Sequence, residues 1–189
     1  MNIFERFLLS REVTLKEGEI TLDRQRIAMF PVGLVGECAL APEQGSEQAR
    51  ILYESMKKGQ IEFSRAIGKE YLFDSKTFLD RWIKYCEFAG WGIVTYQLVE
   101  KDGRHGFLYV KNLPMHQYLR SKGINKPSDV LFEGLIAGSI SGTFRIDVDV
   151  IETKCICSGN DVCVYYWGPK KDLKEKFPGE MQKRFGDWE

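Results

Sequence analysis

An excess of charge of either sign is absent from this chain: Lys plus Arg and Asp plus Glu stand at 27 each. A balanced chain offers no basic footprint for nucleic acid or for an anionic membrane surface. Long apolar runs are missing too; the nearest, 130–140, falls well short of the ~20 residues that cross a bilayer and contains Glu133. The first ten residues hold no basic stretch leading into a signal-peptide core, so a soluble, cytoplasmic protein is expected. Histidine is scarce: His105, beside a turn, and His116 are isolated in the sequence, and neither has an evident catalytic partner. Nucleophile-elbow and Walker patterns are lacking, and neither Gly33 and Gly36 nor Gly134, Gly138 and Gly142 make a dinucleotide fingerprint. Cofactor-driven chemistry is left without support. Five cysteines, an odd count without framework spacing, fit a reducing compartment better than a secreted disulfide scaffold.

What is present suits one domain with small appendages, long enough at 189 residues to bury a substantial core. Behind a short apolar start (Ile3, Phe4, Phe7, Leu8), the stretch 13–22 with Gly18 reads as a β-hairpin. Residues 27–40, apolar with Pro31, Gly33 and Gly36, read as a strand giving way to a turn or irregular helix. From a Ser46 cap, Ala49, Leu52, Met56, Gly59, Phe63 and Ile67 recur at steps of three and four. Glu47, Glu54, Lys57, Lys58 and Glu62 lie between them, as in an amphipathic helix. A second helix, 75–89, has Phe78, Trp82, Tyr85 or Cys86, and Ala89 on one face, Asp74 or Ser75 as cap and Gly90 as its stop. Runs 93–100 and 107–111, joined through Asp102-Gly103, read as antiparallel strands.

A short helix or turn around 115–120 and a loop at 123–126 come next, and Pro127-Ser128-Asp129 opens a helix running to about Ser141. That helix carries Gly134, Gly138 and Gly142. Each glycine costs about 1 kcal/mol relative to alanine, so a stripe of them calls for close approach of another backbone or of a ligand, tight helix packing being the plainer of the two. Strand 144–152, a turn at 158–161 and strand 162–167 form the last hairpin, and 170–189 is a charge-rich surface helix or tail with Phe177, Phe185 and Trp188 to dock it. The order of elements predicts an α/β protein of the α+β type, an antiparallel sheet packed with helices.

Three of the five cysteines fall within Glu152-Thr153-Lys154-Cys155-Ile156-Cys157-Ser158-Gly159-Asn160-Asp161-Val162-Cys163. Ahead of it, Phe144, Ile146, Val148 and Val150 alternate with Arg145, Asp147 and Asp149, the period of a half-buried strand. Continuing the alternation puts Glu152 on the apolar face, where an ionised carboxylate is costly unless a cation meets it. With a turn near Gly159 and Asn160, Cys155 and Cys163 lie nearly opposite, their Cβ atoms about 4.5–5.5 Å apart and within reach of a shared tetrahedral ion. Glu152 can reach the same centre. A Cys155–Cys163 disulfide, or plain buried thiols, fits this spacing equally.

The E-T-K-C-x-x-x-G-x-x-x-C run at Glu152 to Cys163, the G-L-I-A-G segment at Gly134 to Gly138 and the Gly90-Trp91-Gly92 step into a strand resemble the 4-vinyl reductase domain family. That family shares its fold superfamily with the small subunits of the transport protein particle (TRAPP) that tethers vesicles. The resemblance spans 27–168, leaving 1–26 as an N-terminal extension and 169–189 as a charged C-terminal tail. It implies a hydrophobic small-molecule or lipid pocket and, as in aromatic-sensing bacterial transcription activators, a structural zinc. Carried over by position, the zinc ligands are Glu152, Cys155 and Cys163. The fourth position falls on Asp129, where the family has cysteine; Asp129 serves equally as a helix N-cap, and Cys157 is an alternative ligand. Four protein ligands leave no open site for catalysis; without Asp129 an open site returns.

The resemblance further implies pocket walls from Phe88, Trp91, Tyr96, Phe107 and Tyr109, each of which also suits plain core packing. The reading is a stand-alone sensor or carrier domain, with no catalytic residues assigned, a homodimer by resemblance, and an output through a protein partner. Its rivals are a tetrapyrrole vinyl reductase, or an accessory to one, and an assembly subunit acting through protein contacts.

Overall fold

Two antiparallel sheets and seven α-helices make up the described part of a computed structural model, which covers residues 13–16, 18–22, 25–40, 43, 45–71, 74–125 and 129–185. The apolar start at Ile3, Phe4, Phe7 and Leu8, the pair Pro127 and Ser128, Lys126 and Trp188 lie outside the described residues. A three-stranded meander comes first: β1 (Val13–Lys16), β2 (Glu19–Leu22) and β3 (Gln25–Ile27). Gly18, at φ 81°, makes the left-handed turn of its first hairpin. Helices α1 (Val32–Leu40), α2 (Glu47–Tyr71) and α3 (Ser75–Phe88) follow. Ser46 accepts the Ala49 amide at the start of α2, and Asp74 accepts those of Lys76 and Thr77 at the start of α3.

The main sheet has the order β4-β5-β7-β6, from β4 (Ile93–Leu98), β5 (Gly106–Lys111), β6 (Asp149–Lys154) and β7 (Cys163–Gly168). Between β5 and β6 run α4 (Pro114–Ser121) and α5 (Val130–Phe144). On one face of the sheet, Phe132 of α5 meets Tyr165 edge-on at 5.4 Å. The other face is covered by α6 (Lys170–Lys176) and α7 (Pro178–Phe185), with Phe177 between them 5.4 Å from Tyr166 and the Lys176 ammonium 4.2 Å above the same ring. The expected α+β architecture is therefore present. Leu173, Met181 and Phe185 from the charged tail are buried in the same core as Val13 and Leu22 from the opposite end of the chain.

The glycine stripe of α5 is explained by α2. A Cβ on Gly134 would come within 2.6 Å of the Tyr53 carbonyl, and one on Gly142 within 2.7 Å of the Ser64 Cβ; at Gly138 the obstacle is the Lys57 carbonyl. The two helix backbones touch where side chains would hold them apart, so the stripe serves helix packing. This close seam changes the face that α2 buries. Gly59 is exposed, and Tyr53, Lys57 and Ser64 are buried instead. Lys57, expected among the solvated charges, lies at 2.8 Å from both Asp147 and Asp149, and Asp149 also accepts the Tyr53 hydroxyl.

Two further expectations change. The alternation from Phe144 does not begin a strand: α5 continues to Phe144, Arg145 closes it at φ 57°, and β6 starts at Asp149. Phe144 covers Gly103, and Ser141 accepts the Val148 amide, so the segment is fastened to the helix end before it pairs. Nor is β6 half-buried: Val150, Ile151, Glu152 and Asp149 are all inside, because helices pack on both sides of it.

Candidate metal centre and apolar cavity

The last hairpin places Cys155 and Cys163 opposite each other, because Lys154 pairs with Val164 across a bulge between Glu152 and Lys154. The bulge turns Glu152 and Cys155 toward one point. The described cysteines are all free thiols. Cys157 faces away: its Sγ donates to the His116 carbonyl at 3.4 Å. The backbone amides of Ile156 and Cys157 donate to the sulfurs of Cys163 and Cys155, each at 3.4 Å.

His116 completes the group from α4. Its Nδ1 lies 2.8 Å from the Cys163 sulfur, 3.6 Å from that of Cys155 and 3.7 Å from a Glu152 oxygen. The ligand atoms of His116, Glu152, Cys155 and Cys163 all lie within 4.8 Å of one another, and all four residues are buried. Bonds of about 2.0–2.3 Å in a tetrahedron put ligand atoms roughly 3.3–3.8 Å apart, so the four could close on one ion with small movements. Asp129 stands behind. One of its oxygens caps α5 through the Phe132 amide at 2.9 Å, and the other sits 3.2 Å from His116 Nε2. That is the position of an outer-shell carboxylate, which orients a ligating imidazole. His116 was read as isolated from the sequence because Glu152, Cys155 and Cys163 lie more than thirty residues downstream; the available signal was a polar residue between Met115 and Leu119 on an otherwise apolar helix face.

Acidic groups gather around the cluster. Asp129, Glu133 and Glu152 are all buried near the start of α5, and Glu133 accepts the Glu152 amide at 2.8 Å. Burial opposes the imidazolium, but Asp129, Cys155 and Glu152 outweigh it and raise His116 to about 10. A hydrogen bond from Cys163, helped by His116, lowers Cys155 to about 3, while Cys163, holding the shared proton beside Cys155 and in a buried setting, is raised. Burial, and then the Cys155 charge, raise Cys157 to about 12. An ion with a double positive charge matches this donor set of two sulfurs, an imidazole and a carboxylate.

A second feature is apolar. A cavity of about 390 Å³ lies between the β3–α1 segment, α2, α3, the Gly90-Trp91 step and the start of α4. Phe63, Trp82, Phe88, Trp91, Met115 and Leu135 line it, and Gln60 is among its few polar neighbours. Met29 and Phe30, 73% and 64% exposed, form part of its rim. None of the described lining residues carries a charge. Of the aromatics expected at a pocket, Phe88 and Trp91 line this cavity and Tyr96, Phe107 and Tyr109 do not. Tyr96 donates to Asp80 on α3. Phe107 and Tyr109 lie on the sheet face opposite Leu108 and Val110, with Phe107 4.8 Å from Tyr166, because alternate residues of a strand face opposite ways.

No family model matches the chain, and no curated protein does. Among solved structures, it is similar to the phenol-responsive sensory domain of the transcription activator PoxR with phenol, at TM-score 0.72 and 15% identity over 92% of this chain and 91% of that one. The two share a fold. It is also similar to a vinyl-4-reductase family protein from Methanocaldococcus jannaschii (TM-score 0.48, 17% identity, 75% of this chain and 82% of that one). A third is a trafficking protein particle complex subunit 3 from Naegleria fowleri covalently bound to palmitic acid (TM-score 0.47, 11% identity, 72% and 93%).

Proposed function

We propose that this chain binds a neutral hydrophobic small molecule or lipid in the cavity beside α4 and acts as a sensor or carrier domain. The observation that carries this reading is an apolar space of about 390 Å³ bordered by no charged side chain among the described residues. Small-molecule sites are commonly of this size and kind. An ionised head group would lose its hydration there without a partner, so a neutral ligand is favoured. The fold shared with a phenol-responsive sensory domain is in keeping with it. The ligand-binding unit is residues 27–168, completed by Leu22 at the cavity wall.

Beside the cavity we assign a structural zinc to His116, Glu152, Cys155 and Cys163, with Asp129 orienting the imidazole. This revises the ligand set expected from the sequence, moving Asp129 one step back and leaving Cys157 out. Zinc accepts this mixture of donors, and four protein ligands make it a clamp between the last hairpin and α4. Signalling then passes to a protein partner or a second copy of the chain in the cytoplasm.

Titration of the full chain with N-phenyl-1-naphthylamine, a neutral fluorescent hydrophobe, tests the cavity. Saturable binding of one probe per chain, abolished by Leu135→Trp at the cavity wall, is expected. An absence of saturable binding, or binding indifferent to Leu135→Trp, contradicts the reading.

A further inference from the structure

The cavity and the metal cluster meet at consecutive residues. Met115 lines the cavity, and His116 presents Nδ1 to the two sulfurs. Neighbours on a helix project about 100° apart, so one turn of backbone has a ligand space on one side and a metal site on the other. Its cap, Leu113, offers no side-chain hydrogen bond, and Pro114 at the first helical position also borders the cavity. The turn is held by packing of the buried Leu113, Met115 and Leu119, by the Cys157 thiol that donates to the His116 carbonyl, and by the reach of His116 toward Asp129.

We propose that filling the cavity tightens metal binding, through ordering of the first turn of α4 by Met115 on one side and His116 on the other. The inference rests on the proposed cavity ligand and metal site. When the cavity is empty, Met115 lacks contacts on that side, and the turn samples orientations in which Nδ1 is off its aim. A molecule in the cavity restores those contacts, and a metal on His116 orders the same turn from behind. Whichever binds first bears the ordering cost, and the second binds with less loss of entropy. The dependence must be mutual, because the change in affinity for one ligand caused by the other is the same in both directions.

The test uses the full chain, zinc and N-phenyl-1-naphthylamine. Zinc affinity is measured by competition with a chromogenic chelator, with and without saturating probe; probe affinity is measured with and without zinc. Both constants are expected to tighten by one common factor, about five- to fiftyfold. Amide exchange across α4 should slow with either ligand and slow most with both. In Met115→Ala the common factor should fall toward one while both ligands still bind; because the factor is a ratio within each variant, lost stability alone does not move it. Zinc and probe that both bind with unchanged constants overturn the coupling and leave the cavity reading intact. Failure of the probe to bind at all overturns that reading and the coupling with it.

Discussion

The candidate metal cluster and the cavity flank the same turn of α4, yet one is sealed and polar while the other is open and, among the described residues, uncharged. His116 and Asp129 have no exposure, whereas Met29 and Phe30 on the cavity rim expose most of their surface. A sealed polar site is costly unless every group has its partner, so it tolerates few residue types and little movement. An apolar cavity asks only for walls of suitable size, and it can exchange its content. The cluster accordingly fits a structural clamp, and the cavity fits a function that depends on occupancy.

Removing a sulfur ligand should separate the two most strongly. Cys163→Ser is expected to lose its zinc and on the order of 3–5 kcal/mol of stability, since an incomplete set leaves buried charge uncompensated. Thermal unfolding with and without chelator measures this, and chelator should no longer affect the variant. Asp129→Asn keeps a good helix cap but weakens the hold on His116 Nε2, so zinc affinity should fall about 10–100-fold with little change in probe binding. An unchanged zinc affinity would remove Asp129 from the outer shell. Gly138→Ala on the seam between α2 and α5 should cost about 1–3 kcal/mol in denaturant unfolding despite the better helix propensity of alanine, because the Lys57 carbonyl must give way.

Protons give a finer contrast. With His116 raised and Cys163 raised beside a lowered Cys155, zinc should displace protons from His116 and Cys163 on binding, read by calorimetry in buffers of different ionisation enthalpy. The sign follows: the raised His116 favours the metal-free fold below pH 6.5, an advantage lost as pH rises through about 10, and zinc affinity weakens on acidification. Probe binding to the cavity, whose described lining carries no charge, should hardly change over the same range. The smallest effect is expected on the far face of the sheet, where Phe107→Ala should leave probe affinity within about twofold, as it touches Tyr166 and not the cavity.

The same contrast governs what could be read from the sequence. Glu152, Cys155 and Cys163 were legible because a hairpin of known period brings residues close in sequence to one point. His116 was not, because its approach depends on how α4 packs beneath the hairpin, and no local pattern encodes that packing. Asp129 was legible as a cap and ambiguous as a ligand; its two oxygens in fact serve α5 and His116 separately. Most helices were legible from their period and caps, whereas the end of α5 was missed because Phe144 and Ile146 also fit a strand alternation. For the cavity, Phe88 and Trp91 were named together with Tyr96, Phe107 and Tyr109, since an aromatic residue looks the same in a wall, a core or the opposite face of a sheet.

The central claim is the four-residue clamp, and metal content measures it most directly. Native mass spectrometry with elemental analysis of the full chain, purified without chelator, should find one zinc per chain in the wild type and in Cys157→Ser, and none retained in His116→Ala or Cys163→Ser. A metal-free wild type, or a His116→Ala variant that keeps its zinc, would contradict the account.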